Sequence, residues 1–208
     1  MPRIPPVSEA DARDKVAETY GRVREMLGTD RIPGPFLVYG NVEAFLRDFY
    51  MNFKKFVHGA GKLDEKGRAV VGLAVSANAA CGMWYEFFAD RLRALGSMEG
   101  ELHDIVAVAS TNAMYNTFFK FRDIAGSDLF EGLPVGLRAH TFSGTSLDDQ
   151  TVELINIVIS DLNACKPCVA GHVKKARDLG VADEAILEAV QCAATLQSGI
   201  RFLEAAGC

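Results

Sequence analysis

The chain has 208 residues, 49% hydrophobic and 24% charged, the balance of an ordinary globular protein with room for one larger domain or two small ones. A net charge of −5 and an isoelectric point near 5.4 argue against general nucleic-acid binding, which needs clustered excess Lys and Arg. The opening residues contain no apolar leader, and no apolar stretch nears the ~20 residues that span a bilayer, so the expected location is the cytoplasm. Five cysteines, an odd number, then suggest free or catalytic thiols rather than a disulfide framework.

Apolar residues recur at spacings of three and four, and strand-type alternation is scarce, so the fold is expected to be all-α. Ser8 reads as an N-cap for a first helix that stops at Gly28. Residues 29–40, with Pro33, Gly34 and Pro35, read as a break. A second helix is expected from after Asn41 to about His58–Gly59.

An internal repeat follows. Shifted by 84 residues, Leu63-Asp64-Glu65 falls on Leu147-Asp148-Asp149, Cys81 on Cys165, and Leu95-Gly96 on Leu179-Gly180, with 11 identities over 49 ungapped positions. An Asp near each helix start and a Gly after each central helix strengthen the match. Each half reads as three helices, at 64–77, 80–95 and 99–116, then at 148–162, 165–179 and 183–203. The chain accordingly divides into a helical arm (1–60), a first repeat (61–121), a linker rich in Gly and Pro (122–146) and a second repeat (147–208).

The reactive side chains concentrate in the second repeat as Glu153, Cys165, Cys168 and His172. At 100° per residue, Cys165, Cys168 and His172 fall within an arc of about 60° on a helix, a dithiol with a base in reach. The first repeat holds Ala69, Cys81, Trp84 and Phe88 at the same positions, so the fold does not require the polar set and chemistry is its better explanation. One active site per chain is expected.

A thiolate is the reactive form of cysteine, and an ordinary thiol is only about 3% ionised at pH 7. Lowering its pKa by about two units would raise the thiolate fraction roughly 20-fold while cutting nucleophilicity roughly 6- to 10-fold. Ionisation alone therefore gains little, and positioning and proton delivery must supply the rest. His172 is placed to take the thiol proton and return one to a leaving alkoxide, with Glu153 orienting it. A sulfenic acid on one cysteine would be captured by the other as a disulfide. Pro167 suits an early helical position, and Lys166 adds positive charge near the sulfurs.

Other readings compete. The cysteines could be buried small hydrophobes, or zinc ligands with His172 and Glu153, although no second Cys-x-x-Cys is present and no metal site is expected. Attached haem would need His directly after the second Cys, where Val169 stands. Cys81 and Cys192 read as packing residues and Cys208 as terminal. His58 and His140 read as loop residues, and His103 as solvated. The aromatic residues around Trp84 and Tyr115 read as core or subunit interface, with a substrate-pocket wall as the lesser reading.

The spacing Glu153–Cys165–Cys168–His172, with Leu179-Gly180-Val181 and an Ala-rich helix after it, resembles the AhpD-like alkylhydroperoxidase family, which shares a superfamily with the carboxymuconolactone decarboxylases. The resemblance is best over 112–205, including Gly136-Leu137-Arg138. It implies two related helical halves, assembly as a trimer or hexamer, and no bound cofactor beyond a redox-active Cys165–Cys168 disulfide. It implies Cys168 as the peroxidatic and Cys165 as the resolving cysteine, with Glu153 and His172 as proton relay. The implied partners are an organic hydroperoxide and a dithiol reductant such as a dihydrolipoyl protein, in some members a peroxiredoxin, with neither nucleic acid nor membrane. One departure is Pro167, where some members carry a His. The implied activity is that of a thiol-dependent alkylhydroperoxide reductase or disulfide reductase; the alternatives are an acid–base enzyme of the decarboxylase type and a non-catalytic redox sensor.

Overall fold

The computed structural model describes residues 2–208 and contains, among them, α-helices and short helical turns but no strand. The arm holds α1 (Asp14–Leu27), α2 (Gly34–Tyr39) and α3 (Glu43–Asn52), the last running into a π-helical segment, Phe53–His58. Then come α4 (Glu65–Asn78), α5 (Gly82–Ala94) and α6 (Glu99–Ile124). Two single 3₁₀ turns, Asp128–Phe130 and His140–Phe142, interrupt the connecting segment. The chain closes with α7 (Asp149–Leu162), α8 (Lys166–Asp178) and α9 (Asp183–Ala206).

The arm differs from the expectation. Ser8 caps no helix; its hydroxyl accepts from the Asp11 amide in a turn, and α1 starts at Asp14. Within the expected break, Pro35 sits in the first turn of α2, where a missing N–H costs nothing. Farther on, α6 runs to Ile124, past the expected end near residue 116 and into the connecting segment. His58 ends the π-helical segment rather than lying in a loop, with Arg91 beside its Nδ1 at 3.3 Å.

The last six helices form two matching sets. Glu65 and Asp149, Gly82 and Lys166, and Glu99 and Asp183 begin them, 84 residues apart in each case. The Asp64 side chain accepts from the Gly67 amide at 2.7 Å, and Asp148 accepts from Thr151 at 2.9 Å, so each first helix has an N-cap worth about 1 kcal/mol. Both α4 and α7 are central: Arg68–Ser76 and Val152–Ser160 are buried without interruption. Most side chains in these stretches are apolar; the buried polar exceptions are Arg68 and Ser76 in α4 and Glu153, Asn156 and Ser160 in α7.

Each central helix ends in the same tight turn. Ala80 and Ala164 adopt left-handed backbone, φ 52° and 54°, directly before Cys81 and Cys165. The Cys81 amide donates to Ser76 O and the Cys165 amide to Ser160 O, both at 2.9 Å. Left-handed backbone costs a non-glycine residue about 1–2 kcal/mol.

The two sets differ in what fills their interiors. In the first, the Trp84 ring meets Phe36, Phe49 and Phe53 of the arm, and its Nε1 donates to the Tyr39 hydroxyl at 3.0 Å. Phe88 lies over Gly72, so close that a Cβ on Gly72 would run into its ring.

Two substitutions test this packing. Ala164→Gly should stabilise the protein by about 0.5–1 kcal/mol, the left-handed penalty less the added chain entropy. Gly72→Ala should destabilise it by about 1–3 kcal/mol through overpacking against Phe88. Urea unfolding midpoints check both.

Candidate active site

The turn at Ala164 sets Cys165 at the N-cap of α8, and Pro167 occupies the first turn behind it. Cys165 and Cys168 are joined as a disulfide, Cα to Cα 5.3 Å. Cys165 is the more enclosed, at 0% exposure; Cys168, at 8%, borders a pocket. One turn later His172 borders the same pocket, and its Nδ1 lies 2.7 Å from Glu153 Oε2.

Glu153 is a buried charge, its side chain 1% exposed, so its partners decide its state. Burial pushes its carboxyl up, but hydrogen bonds from His172 and Lys175, reinforced by their charges, win and hold it below the ordinary value of 4.5. Lys175 Nζ donates to Oε1 at 2.7 Å, and this lysine was not singled out in the sequence. Its place is readable afterwards, one helical turn past His172 on the same face of α8. Lys166, whose charge was noted in the sequence, makes no side-chain hydrogen bond among the described residues. A carboxylate can only accept, so the proton between Glu153 and His172 rests on Nδ1. The neutral imidazole then carries its lone pair on Nε2, where a base must have it.

The pocket has a volume of about 270 Å³ and is mostly apolar. Its walls are Tyr115 and Phe119 of α6, Phe142 of the connecting segment, and Pro167, Cys168, Gly171 and His172 of α8. Phe142 meets His172 edge-on at 6.4 Å and Tyr115 at 5.8 Å between centroids. Three contacts pin the segment to α6: Tyr115 Oη donates to Leu137 O at 3.0 Å, Thr111 and Thr141 share a 2.7 Å hydrogen bond, and the Ser146 amide donates to Asp104 at 2.8 Å. Tyr115 is thus a pocket wall, whereas Trp84 is wholly core. Phe142 carries no sequence signal, because its place depends on this tertiary pinning.

A polar ladder buttresses the turn before the cysteines. Asn116 Nδ2 donates to Asn112 Oδ1 at 2.7 Å and to Ser160 Oγ at 3.0 Å, Asn112 Nδ2 to Asn156 O at 2.8 Å, and Asn163 Nδ2 to Asn116 Oδ1 at 3.0 Å. The other thiols lie elsewhere. Burial pushes Cys192 up to about 12 and also raises Cys81, which keeps both protonated; Cys208 is exposed. Among the described residues, no group of three or more His, Cys, Asp or Glu is arranged to hold a metal ion, and no helix is long and apolar enough to cross a membrane.

Residues 129–208 match the carboxymuconolactone decarboxylase family. A more particular likeness is to proteins named alkyl hydroperoxide reductase AhpD. That of Azorhizobium caulinodans is 33% identical over 101 residues, 49% of this chain and 56% of its own, so this chain spans little more than half of that relative. That of an Anaeromyxobacter species is 28% identical over 159 residues, 76% of this chain and 85% of its own. A crystal structure assigned as a gamma-carboxymuconolactone decarboxylase subunit of Burkholderia xenovorans shares the fold, with a TM-score of 0.59, 15% identity, and coverage of 94% of this chain and 98% of that one.

The Glu153 ion pair has a measurable pH signature. Its folded pKa lies below the unfolded one, so its stabilisation is complete above the ordinary value of 4.5 and is lost as pH falls through the lower, folded value. Glu153→Gln should cost about 1–3 kcal/mol at pH 7 and much less at pH 3, measured by urea unfolding at both.

Proposed function

We propose that this protein is a thiol-dependent alkylhydroperoxide reductase, with Cys168 as the attacking thiol, Cys165 as the resolving thiol, and His172 and Glu153 as the proton relay. The observation that supports it is the position of Cys168 and His172 side by side on an apolar pocket, with Cys165 enclosed behind in disulfide reach. Named relatives among the alkyl hydroperoxide reductases add weight.

The cycle balances in three steps. Cys168 gives its proton to His172 Nε2, and the thiolate attacks one peroxide oxygen. The O–O bond breaks, sulfur is oxidised to sulfenic acid, and the leaving alkoxide takes the proton from His172 to depart as an alcohol. The Cys165 thiol then attacks the sulfenic sulfur, forming the disulfide and releasing water. A dithiol donor supplies two electrons and two protons by thiol–disulfide exchange, returning both thiols. Glu153, anchored by Lys175, stabilises the imidazolium between proton uptake and release. The apolar walls favour an organic hydroperoxide, and a dihydrolipoyl group is a fitting donor because it carries both thiols on one molecule. Cytoplasmic residence, homo-oligomeric assembly and an antioxidant role belong to the same proposal.

The His172–Glu153 pair and the fold shared with the Burkholderia protein also suit a second reading, an acid–base enzyme acting on a cyclic acid. Thiol chemistry separates the two. One equivalent of cumene hydroperoxide should consume two titratable thiols of the reduced protein, and dihydrolipoamide should restore them over repeated turnovers. Cys168→Ser should abolish turnover, Cys165→Ser should leave a trappable sulfenic acid, and His172→Ala should slow oxidation by about 10²- to 10⁴-fold. Full turnover in Cys168→Ser would sink the reading. Oxidation without dithiol-driven turnover would leave only a redox sensor.

A further inference from the structure

Asn156 is wholly buried at 0% exposure, and neither its amide nitrogen nor its amide oxygen has a hydrogen-bond partner. Leaving a buried polar group unpaired costs about 1–3 kcal/mol, so such a residue in the middle of a central helix calls for a chemical reason. Its surroundings are fixed from three directions. Glu153, one turn earlier on the same face of α7, meets His172 and Lys175 of α8. Ser160, one turn later, takes the Cys165 amide on its carbonyl. On the side toward α6, Asn112 donates to the Asn156 backbone carbonyl. Asn156 therefore faces the stretch of α8 between Cys165 and His172.

The first half of the molecule gives the direction of the side chain. Gly72 stands 84 residues before Asn156, and Phe88 stands 84 residues before His172. A Cβ built on Gly72 points straight into the Phe88 ring. By that correspondence the Cα–Cβ bond of Asn156 is directed toward the turn of α8 that carries His172, although its amide makes no hydrogen bond there in the disulfide form.

A carboxamide has a donor NH2 and an acceptor oxygen, and in the disulfide form neither is engaged. Disulfide sulfur is a weak acceptor, and the neutral imidazole presents a lone pair at Nε2. Reduction followed by proton transfer from Cys168 to His172 changes both. The thiolate becomes a strong acceptor and Nε2–H a charged donor. We infer that Asn156 completes the reduced site, its Nδ2–H donating to the Cys168 thiolate and its Oδ1 accepting from the His172 Nε2–H. The inference rests on the roles proposed above for Cys168 and His172. The residue holds the disulfide form at a disadvantage and the thiolate–imidazolium pair at an advantage, and so raises the reduction potential. The titratable groups around the junction are Glu153 from α7, Lys166, His172 and Lys175 from α8, and Tyr115 and Lys120 from α6; the Lys120 amine is held by Asn163 O at 3.0 Å.

The test is redox equilibrium with dithiothreitol: protein disulfide plus reduced dithiothreitol gives protein dithiol plus its cyclic disulfide. Asn156→Leu and Asn156→Ala should each shift that equilibrium about 10-fold toward the protein disulfide, a potential ~30 mV more negative. The pH at half-maximal alkylation of Cys168 by iodoacetamide should rise in both variants, while the oxidised protein should be no less heat-stable in Asn156→Leu. In the unaltered protein, the Asn156 side-chain amide resonance should move downfield on reduction above the pH of thiolate formation. Unchanged potential and alkylation profile in folded variants, or an amide resonance indifferent to reduction, would overturn the inference. None of these readouts uses peroxide, so a protein that ignores cumene hydroperoxide would defeat the peroxidase reading and leave this one standing.

Discussion

The left-handed turn at Ala164 fixes everything that follows it in the site. With φ at 54°, the chain doubles back in a single residue, and the Cys165 amide closes onto Ser160 O at 2.9 Å. That closure sets where α8 begins and hence which residues of α8 face α7. Cys168, His172 and Lys175 follow at helical spacing, and Glu153 is met where α7 has already risen two turns. A strained residue persists only where its surroundings over-determine it, and here they do. The Asn112, Asn116 and Ser160 ladder clamps the end of α7 to α6, and Asn163 joins the ladder through its side chain. The strain is therefore held by a polar network that is itself buried and paired.

The same scaffold occurs twice with opposite contents. Around Cys81 the arm supplies Phe36, Phe49 and Phe53 against Trp84, and Phe88 fills the space over Gly72. Apolar packing of this kind leaves no room for a substrate and no polar group to hold charge. Around Cys165 the equivalent volume holds Glu153, Asn156 and His172. A buried carboxylate alone would be strongly unfavourable, and its hydrogen bonds from His172 and Lys175 make it tolerable. The second half thus exchanges packing for chemistry, at a cost offset by the well-packed first half and the arm.

Much of this was legible in the residues before any coordinates. The first helix start of each half was marked by Asp64 and Asp148 and the end of each half's second helix by Gly96 and Gly180, because caps and C-terminal glycines act locally. Glu153, Cys165, Cys168 and His172 stood out by spacing and by contrast with the first half. The residues that were missed act through tertiary contacts. Lys175 looked like one more surface lysine until α7 lay beside it. Phe142 joined the pocket only because Tyr115, Thr111 and Asp104 hold its segment down. Asn112 and Asn116, four residues apart on an apolar helix, carried a periodic signal for a buried polar face, but their partners lie more than forty residues away. The arm was misread where local rules met competition: Ser8 serves a turn, and the two prolines sit at the N-cap and first turn of a short helix.

Charge accounting explains why the proposed site needs so many members. In the proposed cycle Glu153 and Lys175 cancel, and the reaction starts from a Cys168 thiol and a His172 imidazole. Transfer of a proton from Cys168 to His172 creates one negative and one positive charge without altering the net charge of the site. The cost is then the separation of two neighbouring charges rather than the burial of a lone thiolate, which a 270 Å³ apolar pocket would oppose. A carboxylate behind the imidazole stabilises the positive end of that separation. The lysine prevents the carboxylate from taking the proton itself, because it holds Glu153 ionised. In the proposed cycle His172 can then return its proton to the departing alkoxide.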